Sequence, residues 1–185
     1  MNFLNSLFFS FLFIKTIRIA DNNPERRLKR DLYIILDEFH NIGQIPDFQQ
    51  KLATIRSRGI SAIIVCQSIA GLENLYPNNS WQGIVGNCDL KIFMGCNDIQ
   101  TAEYISKVLG VSTVENNSLR KEAGFDGKIE IGTENLSTTS RKLMNADEIL
   151  RMDNDKQIEV IRGQKPFICK KLTIPSIDFQ MKLKK

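Results

Sequence analysis

At 185 residues, with 42% apolar and 25% charged side chains, the chain is long enough for one well-packed α/β domain and too short for two, and its composition excludes wholesale disorder. Its 25 basic residues against 21 acids leave +4, too mild a balance to establish nucleic-acid binding, and the excess collects in the segment from Arg162 to Lys185. Cys66, Cys88, Cys96 and Cys169 form no C-x-x-C pair and have only His40 as an imidazole companion, which argues against a zinc site and for reduced thiols in a cytoplasmic domain.

Three regions are expected: 1–30, an apolar helix and charged linker; 31–110, the main α/β part; and 111–185, a loop excursion, a short helix and C-terminal strands with a basic tail. The apolar run Phe3 to Ile14 holds about 12 residues against the roughly 20 that cross a bilayer, and a buried helix is preferred over a membrane-associated segment. Asp21-Asn22-Asn23-Pro24 and the charged stretch to Asp31 read as a loop. Leu32-Tyr33-Ile34-Ile35-Leu36 is uniformly apolar, as in a parallel strand buried on both faces, and stops at Asp37-Glu38. A helix is predicted between Pro46 and Gly59, then a second apolar strand, Ala62 to Cys66, with Cys66 in the core and Gln67 closing it. This strand–helix–strand order is that of a right-handed βαβ unit.

Short helices are expected over Ser68–Leu75 and Asn79–Asn87, a strand around Leu90–Met94, and a helix from Asp98, its N-cap, to Leu109 ahead of Gly110. Val111 to Ser140 is polar and aperiodic, a long loop or hairpin. Asn145–Met152 reads as a helix, and Gln157–Ile161 with Pro166–Leu172 as a hairpin turning through Arg162-Gly163-Gln164.

An apolar strand ending in two acids is what a Walker B motif requires. Asp37 can reach a Mg²⁺ ion on the phosphates, and Glu38 can polarise an attacking water as general base. A strand that merely meets solvent ends the same way, so the pattern needs support. Gln67 supplies it, ending the next strand where open α/β sheets gather their ligands and where an amide can sense a γ-phosphate; a loop contact is the simpler alternative. Arg56 and Arg58 close the intervening helix, suited either to the helix dipole or to a phosphoryl group in a neighbouring subunit. His40 reads as a loop contact.

The segments Leu36-Asp37-Glu38-Phe39-His40-Asn41-Ile42-Gly43-Gln44-Ile45-Pro46, Ile55-Arg56-Ser57-Arg58-Gly59-Ile60-Ser61 and Cys66-Gln67-Ser68 resemble the ATPase core of type IV secretion coupling proteins of the TraG/TraD-like branch. The likeness continues through Gly86-Asn87-Cys88-Asp89, Thr101 to Ser106, Gly110 to Val114 and Ala146 to Ile149, covering about Leu32 to Leu172. The resemblance implies a RecA-like P-loop NTPase sheet with ATP and Mg²⁺ as cofactors. It implies Asp37 as the magnesium-side and nucleotide-binding acid, Glu38 as the water activator, Gln67 as a catalytic and nucleotide-contacting amide, and Arg56 as an arginine acting across the subunit boundary. For an intact member it further implies a membrane-anchored hexamer at the cytoplasmic face of the bacterial inner membrane. Such a hexamer passes relaxase-bound single-stranded DNA to a type IV secretion channel and uses no small-molecule substrate but ATP.

One departure is large: the sequence holds no G-x-x-x-x-G-K-[ST]. The fold expected is therefore a RecA-like sheet lacking its phosphate-loop strand, with a gap between the strand ending at Gln67 and the strand near Leu90, plus a C-terminal β-hairpin extension. The chain is expected to be the C-terminal fragment of such an ATPase, inactive alone. The alternative is a non-hydrolysing accessory or partner-recognition module derived from the same fold.

Overall fold

The computed structural model describes residues 2–123 and 129–172. The first element, α1 (Asn2–Asp21), is longer than expected, because Lys15 and Arg18 are good helix formers on exposed positions and no breaker occurs before Asn22-Asn23-Pro24. Its 20 residues reach the length of a bilayer-crossing helix. One face is nevertheless committed to the protein: Phe13 and Ala20 are fully buried, and the Ser6 hydroxyl donates to the Gln44 carbonyl at 2.5 Å. The other face, with Phe3, Leu4, Phe8 and Phe11, is exposed, so the expected burial holds for one face only.

Strand β1 (Leu32–Leu36) pairs in parallel with β2 (Ile60–Ile64), with Leu32 opposite Ile60 and Leu36 opposite Ile64. The crossover runs through α2 (Phe39–Ile42), α3 (Phe48–Ile55) and a 3-10 turn, Arg56–Arg58. Gly59 ends it at φ 72°, the left-handed conformation that a stop at this position needs. The second strand thus starts two residues earlier than expected and ends at Ile64, which leaves Cys66 exposed rather than in the core.

Among the described residues only one face of this sheet is covered. Ile34 and Leu36 are buried, while Tyr33 and Ile35 are each 64% exposed. The uniform apolar run suggested burial on both faces; the described helices supply one layer, and the other side is open. The covered side is the main core, centred on Phe13, Phe39, Phe48 and Tyr76. Their rings lie 5.1–5.8 Å apart for the pairs Phe39–Phe48, Phe13–Phe48 and Phe39–Tyr76, the last stacked at 7°. Burying each such side chain contributes about 1.5–3 kcal/mol. Phe39 follows Asp37-Glu38 directly, so this cluster also anchors the acidic turn.

Beyond β2 come α4 (Ile69–Leu75), α5 (Ser80–Gly86), β3 (Leu90–Phe93) and α6 (Ile99–Leu109). Asp98 caps α6 as expected, its carboxylate accepting the Thr101 N–H at 2.8 Å. The polar excursion is a long antiparallel hairpin, β4 (Val111–Ala123) with β5 (Ile129–Lys142). Helix α7 (Ala146–Leu150) opens with a capping box between Asn145 and Glu148. Strands β6 (Lys156–Ile161) and β7 (Phe167–Lys170) form the expected hairpin, but not as an extension: β6 pairs antiparallel with β3, giving a sheet of order β3-β6-β7. A second core, with Ile105, Leu109, Ile149 and Ile158, joins this sheet to α6 and α7. Most of the basic tail, residues 173–185, lies outside the described residues.

Between the two sheets is a cavity of about 650 Å³, lined by β2 on one side and by β3 on the other. Among the described residues β2 pairs only with β1 and β3 only with β6, so both edges facing the cavity lack a strand partner. Exposed apolar side chains accompany those edges: Ile63 and Val65 on one, Leu90, Ile92 and Met94 on the other. Two polar links span the sides. At the start of β2, Arg56 Nη1 meets Asp89 Oδ2 at 2.9 Å. Past the end of β2, the buried Ile69 N–H donates to Thr101 Oγ1 at 2.9 Å.

Candidate functional site

The parallel ladder does not stop at Leu36. Val65 N donates to Leu36 O, and Phe39 N donates to Val65 O, both at 3.0 Å, so the acidic turn is tied to the chain leaving β2. Asp37 and Glu38 therefore stand at the carboxyl end of β1, and Gln67 at the same end of its neighbour, three residues past the strand. All three are exposed. Open α/β sheets bind ligands at this edge.

The backbone at Glu38 is left-handed, φ 46° and ψ 48°, a conformation that costs a non-glycine residue roughly 1 kcal/mol or more. It is held by the Asp37 carboxylate, whose Oδ1 accepts the Glu38 N–H at 2.9 Å. Asn41 Nδ2 donates to Glu38 Oε2 at 2.9 Å, orienting the carboxylate that the sequence points to as a base. Asp37 Oδ2 has no such protein donor among the described hydrogen bonds. That donor set fits magnesium, which binds through one or two carboxylates together with water and phosphate oxygens. It does not complete a nucleotide site, since the phosphate-cradling loop is missing from the sequence.

Arg56 is not brought to the acids. It lies at the amino end of β2, a strand length of roughly 16 Å from the edge carrying Gln67. Its side chain is 78% exposed and pairs with Asp89. Arg58 is a structural contact instead: its Nε and Nη2 grip both oxygens of Asp21 at 2.8 and 3.2 Å, tying the 3-10 turn to the end of α1. His40 sits half-buried on α2, a helix the sequence pattern did not suggest because four residues are too few to show periodicity.

Two contributors were not read from the sequence. Asn41 acts by its spacing, three residues from Glu38 across one helical turn. Thr101 lies on the far side of the cavity from β2, and only the tertiary fold brings its hydroxyl to Ile69, just past Gln67-Ser68.

Two groups, one lining the cavity and one in the main core, hold their protons tightly. The Cys66 thiol is raised to about 11, chiefly by burial and further by Cys88. The residue as a whole is exposed, yet it is among those that line the cavity. Tyr76 is raised to about 12 by burial, partly offset by its hydrogen bond with Ile45 and reinforced by Cys66.

The family model described as Type IV secretory system Conjugative DNA transfer matches residues 1–177. The chain belongs to that family. Among curated members of the conjugative DNA transfer family, Protein VirD4 of Agrobacterium fabrum is 24% identical over 164 residues, covering 87% of this chain and 24% of VirD4. Conjugal transfer protein TraG of Escherichia coli is 28% identical over 144 residues, covering 74% of this chain and 22% of TraG. The chain thus spans about a quarter of the length of the curated relatives it matches. In structure it resembles the bacterial conjugative coupling protein TrwBdeltaN70, with a TM-score of 0.67 at 19% identity over 85% of this chain and 34% of that one. TrwB in complex with ADP and Mg²⁺ matches with a TM-score of 0.60 at 19% identity over 82% of this chain and 32% of that one. The fold is accordingly the mixed α/β fold of TrwB.

Proposed function

We propose that this chain is the C-terminal part of the motor domain of a conjugative coupling protein, carrying the metal and water-activating half of an ATP site. Asp37 holds Mg²⁺, Glu38 polarises the attacking water, and Gln67 contacts the γ-phosphate. Arg56, remote from these in its own chain, serves the site of a neighbouring subunit. The observation that carries the reading is the placement of Asp37, Glu38 and Gln67 at one end of two parallel strands, with Gln67 also lining the cavity.

The incomplete sheet belongs to the same reading. The cavity between β2 and β3 receives the strand that leads into the phosphate-binding loop, contributed by polypeptide outside this chain. Two apolar edges that lack a strand partner among the described residues, and a volume of about 650 Å³, support this. ATP and Mg²⁺ are then the cofactors, in keeping with TrwB having been captured with ADP and Mg²⁺. The whole protein is read as a hexamer at the cytoplasmic face of the inner membrane, passing relaxase-bound single-stranded DNA to the secretion channel. The covered face of α1 favours a place for this segment against the cytoplasmic domain rather than across the bilayer.

A second reading, a non-hydrolysing partner-recognition module, is favoured by the missing phosphate loop alone. The two separate in a turnover assay. The chain by itself is expected to show no magnesium-dependent ATP hydrolysis; supplied with a segment carrying the strand and phosphate loop, it is expected to gain turnover that Glu38→Gln abolishes. Binding of that segment without any turnover favours the module, and turnover indifferent to Glu38→Gln sinks the assignment of the base.

A further inference from the structure

Among the described residues, Asp89 is the acid that pairs with two arginines. Its two carboxylate oxygens are shared between guanidinium groups from separate parts of the fold. Arg56, ahead of β2, takes Oδ2 at 2.9 Å, and Arg162, in the β6–β7 turn, takes Oδ1 at 3.2 Å. The two holds differ in kind. Arg162 is fixed to Asp89 by its backbone as well, its N–H donating to the Asp89 carbonyl at 2.8 Å, and the adjacent residues Leu90 and Ile161 are partners in the β3–β6 register. Arg56 has no ladder or backbone link to Asp89; the ion pair alone reaches across the mouth of the cavity.

We infer that Asp89 is the positioning residue for Arg56, a carboxylate anchored on the β3-β6-β7 sheet that presents the guanidinium at the amino end of β2. The inference rests on the reading of Arg56 as the arginine offered to a neighbouring subunit. A long side chain that is 78% exposed samples many rotamers, and each must be given up when it docks on a phosphoryl group. Asp89 restricts that search beforehand. Arg162 makes the arrangement reversible: when Arg56 leaves for the neighbour, Asp89 keeps a cationic partner. As an exposed pair it adds little to global stability, so its signature is local order and catalytic rate rather than melting temperature.

The test begins with the chain alone. Side-chain ¹⁵N relaxation at arginine Nε is expected to find Arg56 ordered in the wild type and mobile in Asp89→Asn, with order recovered in Asp89→Glu and retained in Arg162→Ala. Equal mobility of Arg56 in the wild type and Asp89→Asn overturns the inference. In the chain complemented by the phosphate-loop segment, Asp89→Asn is expected to lower kcat roughly three- to tenfold with KM unchanged. Arg56→Ala separates the two levels of the argument. If Arg56→Ala lowers turnover and Asp89→Asn does not, the positioning role is overturned while the arginine's role stands. If Arg56→Ala turns over normally, the reading of Arg56 itself fails and takes the catalytic consequence with it.

Discussion

Replacing Tyr76 by Phe removes one oxygen and nothing else from the centre of the main core. That hydroxyl accepts the Ile45 N–H at 2.9 Å, and Ile45 is fully buried. A buried donor left unmet costs roughly 1–3 kcal/mol. The ring keeps its stacking on Phe39, 5.8 Å away, so the packing contribution is retained and the loss isolates the hydrogen bond. The expected destabilisation is about 2 kcal/mol, a fall in Tm of roughly 4–8 °C for a chain of this size. Urea unfolding is the assay, with the midpoint shifted and the slope m unchanged. The pH profile gives an independent arm. The folded Tyr76 pKa is raised to about 12, so its stabilisation is complete below the unfolded value near 10 and is lost as pH climbs from there through 12. The difference between wild type and Tyr76→Phe should therefore narrow over that window. A loss below about 0.5 kcal/mol at neutral pH would refute the reasoning, because it would mean that Ile45 finds another acceptor.

Three other substitutions and reactivities follow from the same structure. Thr101→Val should cost about 1–3 kcal/mol by stranding the buried Ile69 N–H, whereas Thr101→Ser, which keeps the hydroxyl, should cost clearly less; chemical denaturation distinguishes them. Gly59→Ala is expected to lose about 1–2 kcal/mol in thermal unfolding, since φ is 72° and a Cβ would stand 2.9 Å from Asp31 Oδ1; wild-type stability would show that the turn relaxes freely. Cys66 should alkylate slowly at pH 8, with its rate still climbing towards pH 11, and a rate that levels off near pH 8.5 would contradict the burial of its thiol. A strand seated between β2 and β3 should slow that alkylation further, which makes Cys66 a reporter for filling of the cavity.

Most of the local structure was legible in the residues. The apolar run to Leu36, the stop at Gly59, the Asp98 cap and the turn at Arg162-Gly163-Gln164 each rest on backbone chemistry acting within a few residues, and each stands where it was expected. The misses share a cause. The length of α1, the shifted start of β2 and the exposure of Cys66 depend on which neighbouring surface the chain meets, and no local pattern carries that information. The hairpin β6–β7 looked like an appendage because antiparallel pairing with β3 joins residues some seventy positions apart.

The sequence by itself determined the acids at the end of an apolar strand, the amide closing the next, and the absence of a phosphate-binding loop. These are properties of residue type and spacing. Only the tertiary structure decided that Asn41 steadies Glu38, that Thr101 holds the chain beyond Gln67, and that Arg56 is gripped by Asp89 at the far end of the strand from the acids. Among the described residues it also sets the edges of β2 and β3, neither with a strand partner on that side, across a cavity of about 650 Å³. Strand edges and ion pairs are relations between distant segments, fixed when hydrophobic burial selects one packing of the helices against the sheets.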